Sequence, residues 1–269
     1  MAILEYRFTH DTLFKMLFVR HPELLKSLVA EMLSIQADSI EEFVITNPEI
    51  QPDILGEKFC RLDINMMLDG QKIDLEVQVA NEGDYLERSL YYWAREFSSA
   101  LEEGGEYRKL PRTIIISIVA FEQFTCEEFH SEFQALEVKR HTPLTDRMSL
   151  HFFELPKVPR NINKDEKLKL WLTLFNAKTE EDLASIEALE VSEMKKAIGA
   201  YRTVTATDEF KQLERMRADA RNREASALGH ARREEREKWQ GVVAEKDAEI
   251  EELKKQLGKT QLRNRDMTR

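Results

Sequence analysis

The residues best placed to do chemistry lie in one stretch, 58–80, KFCRLDINMMLDGQKIDLEVQVA. Asp69 and Gly70 separate two runs in which apolar and polar residues alternate. Such a pair marks a two-residue hairpin turn, because both turn positions need positive φ. Leu68 then faces Gln71. The register places Met66 opposite Ile73, Ile64 opposite Leu75, Leu62 opposite Val77 and Cys60 opposite Val79. A slip of one residue would break all four apolar matches. On the other face the same register sets Asp63 opposite Glu76, Arg61 opposite Gln78 and Asn65 opposite Asp74. Like charges directly across a strand pair repel. A fold holds them when they are solvated, share a proton or share a cation. Gln78 follows Glu76 on one face, and Arg61 lies across from it. Two carboxylates converging beside neutral and cationic donors describe a divalent-metal site for phosphodiester hydrolysis.

Asp63, followed by Glu76-Val77-Gln78 on the next strand, resembles the core motif of the PD-(D/E)XK nucleases, with Gln in place of the usual Lys. The run Asp11-Thr12-Leu13-Phe14-Lys15 is similar to an N-terminal HDxxFK signature. Arg88, Tyr91-Tyr92-Trp93 and Gly105-Glu106-Tyr107 resemble further signatures of the same group. That group is the Rpn (YhgA-like) family of recombination-promoting nucleases, also labelled transposases. The resemblance implies a PD-(D/E)XK α/β core, a mixed sheet flanked by helices. It implies a metal-dependent DNA endonuclease of the bacterial cytoplasm, linked to recombination and to mobile or foreign DNA. It further implies Mg²⁺, or Mn²⁺ or Ca²⁺, held by Asp63 and Glu76, with the Val77 carbonyl as a third ligand and Asp11 or Lys15 lent by the first helix.

Gln carries no charge and takes no proton, so Gln78 can orient a water but cannot neutralise a phosphate. Arg61, one same-face step from Asp63, or Lys15 would restore the missing charge. The expectation is that Arg61→Ala lowers cleavage without unfolding the chain. Arg88, on the helix after the site, is the candidate for a DNA phosphate. Two other classes stand beside the nuclease: an inactive nuclease fold serving binding or assembly, and a transposase joining DNA ends. The last usually needs a third, widely spaced acid, and beyond Asp11 the sequence offers none.

Composition bounds these readings. The chain has 269 residues, is 42% hydrophobic and carries a formal net charge of −10. Residues 208–269 hold 16 Lys and Arg against 14 Asp and Glu, so residues 1–207 carry the remaining 24 and 36, a net of −12. An acidic body repels phosphate at long range, which weighs against tight nucleic-acid binding unless a local basic patch or bound metal offsets it. Two cysteines, Cys60 and Cys126, offer no disulfide framework and fit a reducing compartment. No apolar run approaches the roughly 18 residues of a membrane span, and the N-terminus lacks a signal-peptide core. The expectation is a cytoplasmic protein without zinc, since no His/Cys cluster has zinc spacing.

The elements that must position these residues follow from periodicity. Thr9 caps a first helix and Pro22 starts a second at its favoured first-turn position. A short strand covers 42–46, and Cys60 falls on the apolar, core side of the hairpin. Asn81 caps a helix running to Glu103, with Leu86, Leu90, Trp93, Ala94, Phe97 and Leu101 as its apolar positions. The run Thr113–Phe121 is nearly all apolar, as suits a strand buried on both faces. Phe133–His141 and Met148–Leu155 alternate as two further strands, and the histidines are scattered. The expected organisation is a nuclease core over 1–160, a helical extension over 161–207, and a long charged helix or coiled coil over 208–269. A weak heptad begins at Leu213; a better one ends in Ile250, Leu253 and Leu257. The predicted partners are DNA and a second copy joined through the C-terminal helices. The last residues, LRNRDMTR, are expected to be disordered.

Overall fold

The structure is a computed structural model that describes residues 2–47, 64–101, 103–161 and 163–266. Cys60, Arg61, Leu62 and Asp63 lie outside the described residues, and so do the expected pairs Asp63 with Glu76 and Arg61 with Gln78.

The hairpin forms as its turn dictates. Asp69 (φ 46°) and Gly70 (φ 71°) both adopt left-handed backbone, and the Asp69 carboxylate accepts from the Glu41 and Glu42 N–H groups at 3.0 and 2.8 Å. β2 (Ile64–Leu68) and β3 (Gln71–Gln78) pair antiparallel with Ile64 opposite Leu75, Asn65 opposite Asp74 and Met66 opposite Ile73. β1 (Phe43–Ile45) lines the outer side of β2. β4 (Thr113–Val119) runs parallel to β3, β6 (Met148–Glu154) parallel to β4, and β5 (His130–Phe133) antiparallel to β6. The order β1-β2-β3-β4-β6-β5 is a mixed six-stranded sheet. β4 is buried along its whole length, as an apolar run in a parallel centre requires.

Alternation along the strands divides the core. Ile73, Leu75, Ile114, Ile116, Ile118 and Phe153 pack with residues of α1 (Asp11–Arg20), α2 (Pro22–Met32), α4 (Lys167–Asn176), α5 (Glu180–Glu187) and α6 (Ser192–Ala206). Ile115, Val119, Leu150 and Phe152, which point the other way, form a smaller cluster with Tyr85 of α3 (Tyr85–Ser99). The helices of 161–207 therefore share the larger core with the sheet. α7 (Asp208–Asp266) follows. The chain divides into two units, Met1–Glu214 and Arg215–Arg269.

Several boundaries differ from expectation for local reasons. Asn81 does not cap α3: its side chain accepts from the Gly83 N–H at 2.9 Å, making an Asx turn, and the helix starts at Tyr85. α3 stops at Ser99 rather than Glu103. There Ser99 Oγ donates to the Glu96 carbonyl, and Lys72 Nζ donates to the same carbonyl and to Ser99 Oγ, so the last turn finds its partners without further helix. Leu90 is 47% exposed and Ala94 is also exposed, while Ser89 and Glu96 are buried. α3 covers polar β3 side chains, and Glu96 is buried because Lys72 pairs with it at 2.7 Å. The strand expected over 133–141 is instead β5 followed by a loop. Glu137 accepts from the Lys139 and Arg140 N–H groups and His141 takes φ 56°, a side-chain turn that competes with the ladder. The first helix begins at Asp11 after His10, not at a Thr9 cap. α7 continues to Asp266, through part of the tail expected to be disordered.

Candidate active site

β3 is the strand on which the site is built. Asp74, Glu76 and Gln78 alternate onto the α3 side and are 4%, 3% and 8% exposed. This face is therefore not the solvated one that alternation alone would suggest. The cause is topology: β3 is an interior strand between β2 and β4, and α3 lies over it.

Glu76 sits beside Ser117 in the parallel register. Its Oε2 accepts a hydrogen bond from the Tyr85 hydroxyl at 3.0 Å. Ser117 is fully buried, and among the described residues its Oγ has no hydrogen-bond partner. Gln78 donates from Nε2 to the Ala80 carbonyl at 2.7 Å. One of its two N–H donors is thus committed to the backbone. The Val77 side chain points to the larger core, so Val77 could serve an ion only through its carbonyl.

Arg88, one turn into α3, lies over the Tyr85 ring with its guanidinium carbon 5.1 Å from the centroid. Nη1 pairs with the Glu82 carboxylate and stands 3.9 Å from Asp84. Its Nε and Nη2 are buried and have no hydrogen-bond partner among the described residues. Arg88 is therefore joined to Glu76 through a shared phenol. Asp11 and Lys15 are placed differently. Both are on α1, whose neighbouring residues Leu13, Phe14, Leu17 and Phe18 belong to the larger core. Asp11 is exposed and Lys15 is 2% exposed. The residues flanking Asp11 act as a tie: His10 Nε2 lies 3.1 Å from Glu214 Oε2, and Thr12 Oγ1 donates to Glu214 Oε1.

Three polar residues of this face were not among the expected site residues. Tyr85 carries no local signal, because it meets Glu76 only when α3 folds over β3. Asp74 is visible as the partner of Asn65, though its burial is not. Ser117 does leave a signal, as a lone hydroxyl inside an apolar strand. A further cluster gathers two histidines thought scattered. His130 Nε2 lies 3.1 Å from His151 Nδ1, and His151 Nε2 lies 2.9 Å from Ser149 Oγ, which donates to Glu132 at 3.0 Å.

The model of the PD-(D/E)XK nuclease family transposases matches residues 8–231. The chain belongs to that family. No curated protein and no solved structure matches it. Family membership agrees with the mixed sheet flanked by helices and supports a nuclease-type function. PD-(D/E)XK nucleases generally use divalent metal ions. The described residues fit such an ion on one side. Glu76 supplies hard carboxylate oxygen on the interior strand, and Ser117 buries an unpartnered hydroxyl next to it. Among the described residues no group of three His, Cys, Asp or Glu side chains forms a metal cluster. Among the same residues no helix is long and apolar enough to cross a membrane.

Proposed function

We propose that the chain is an endonuclease that hydrolyses phosphodiester bonds of DNA with a divalent ion held by Glu76 and Asp63. The observation that carries this reading is the carboxylate of Glu76, 3% exposed on an interior strand of a chain that belongs to a PD-(D/E)XK nuclease family. The bound ion, Mg²⁺ or Mn²⁺, supplies a Lewis acid and a water of lowered pKa.

The protein's own residues divide the remaining work. Glu76 and Asp63 hold the ion, with the Val77 carbonyl as a further ligand and Asp11 as an auxiliary acid. Gln78 accepts a hydrogen bond from the attacking water through Oε1 and so aims it. Arg61, which the hairpin register sets across from Gln78, and Lys15 restore the positive charge that Gln78 lacks. Arg88 offers the buried donors of Nε and Nη2 to a DNA phosphate. These local cations work against a body of net charge −12 over residues 1–207, so binding should be short-range and sensitive to salt.

The partner reading extends to a second copy. In the second unit Trp239, Val243, Ile250 and Leu253 are 59%, 55%, 47% and 55% exposed. They fall at d, a, a and d positions of one heptad register, with Lys246 at the intervening d. Glu249 and Lys254 then occupy g and the following e, which face each other with opposite charge in a parallel pair.

The test is plasmid nicking with and without Mg²⁺ by the wild type, Asp63→Asn and Glu76→Gln. Nicking that needs Mg²⁺ and is lost in both variants, with unchanged circular dichroism, is the expected result. Wild-type nicking rates in Glu76→Gln would reject the assignment. Joined DNA ends among the products would favour the transposase chemistry instead.

A further inference from the structure

Tyr85 is the first residue of α3 and is 1% exposed. Its hydroxyl donates to Glu76 Oε2 at 3.0 Å. Three neighbours confine the ring. Phe121 and Phe152 meet it edge-on at 6.1 and 6.2 Å, and the Arg88 guanidinium lies 5.1 Å from its centroid. A phenol confined in this way presents its proton in one direction. That direction is toward Oε2 of the Glu76 carboxylate.

We propose that Tyr85 is a positioning residue for Glu76, fixing the orientation of that carboxylate for a divalent ion and tying the place of Arg88 to it. The inference rests on the nuclease reading above. A neutral donor suits this task. It orients one oxygen and brings no positive charge to compete with the cation. Lys or Arg at the same place would pair with the acid and weaken its hold on the ion. The shared ring adds a second consequence. The guanidinium that would meet a phosphate and the carboxylate that would hold the ion move as one unit, because both rest on one side chain.

The experiment is calorimetric titration of the full chain with Mn²⁺ for the wild type, Tyr85→Phe and Glu76→Gln. Tyr85→Phe keeps the ring and its contacts and removes only the donor. Hydrogen-bond partners of metal-binding carboxylates typically change ion affinity about 10- to 100-fold, so a weakening of that size is expected in Tyr85→Phe, with no binding in Glu76→Gln. Cleavage by Tyr85→Phe should recover as Mn²⁺ is raised, since the chemistry is intact and only loading is impaired. A merely structural phenol would alter the thermal midpoint and leave Mn²⁺ affinity alone. Equal affinity in Tyr85→Phe and wild type, with binding lost in Glu76→Gln, overturns this role and leaves the nuclease reading standing. Absence of Mn²⁺ binding by the wild type overturns both. Should Tyr85→Phe fail to fold, Phe152→Leu loosens the ring while keeping the hydroxyl. A smaller loss of affinity there supports the role, and wild-type affinity overturns it.

Discussion

Lowering the pH from 7 to 4 should destabilise the first unit through His151. The residue is 5% exposed on β6, with His130 Nε2 at 3.1 Å from Nδ1, Ser149 Oγ at 2.9 Å from Nε2 and Glu132 Oε1 at 3.8 Å. Burial lowers its pKa from 6.5 to about 4; His130 and Arg112 add to that, while Glu132 opposes it. Burial also lowers His130. In the unfolded chain His151 takes up a proton as the pH falls through 6.5, and in the folded chain it stays neutral until about 4. The unfolded state then binds more protons, so stability present above pH 6.5 is lost on the way down to 4. A shift of about 2.5 units at about 1.4 kcal/mol each makes the loss about 3 kcal/mol. Glu132 acts lower on the scale. Burial raises its pKa, but hydrogen bonds from Gln134 and Ser149 and the two histidines outweigh that and hold it below 4.5. Its contribution is present above its ordinary pKa and is lost below it. The assay is urea unfolding of wild type and His151→Gln at pH 7 and pH 4. The wild type should lose about 3 kcal/mol more than the variant between the two. A difference below about 1 kcal/mol, or a His151 ring resonance titrating near its ordinary 6.5, would refute the argument.

Two further outcomes follow from the site and the last helix. Arg88→Ala should weaken binding of duplex DNA, measured by anisotropy, and reduce the slope of log affinity against log salt by about 0.9, the value for one phosphate contact; an unchanged slope would remove Arg88 from the interface. Replacing both Ile250 and Leu253 by Asp should convert a self-associating chain to monomer in sedimentation velocity, without changing the melting of the first unit; equal oligomeric states would reject pairing through the heptad seam.

The hairpin was the most legible part of the fold. Asp69 and Gly70 need left-handed backbone, and the apolar matches across them admit one register, so local rules sufficed. β4 was legible for a related reason, since an unbroken apolar strand has nowhere to lie but the centre of a sheet. α3 was harder. Its ends depend on Lys72 and on the Asx turn at Asn81, and its buried face depends on what β3 presents beneath it. The loop after β5 turned on Glu137 accepting from its own backbone, which alternation does not register.

The candidate site divides in the same way. Residue order alone determined that Glu76 and Gln78 share a face of β3, because side chains alternate with period two. It also determined family membership, through motifs that are separate along the chain. Only the tertiary structure decided that this face is buried, that Tyr85 holds Glu76, and that His130 meets His151. Those contacts join residues 9 to 21 positions apart, or on different elements. They come into being when strands pair and a helix closes over them, and no local periodicity encodes where that closure falls.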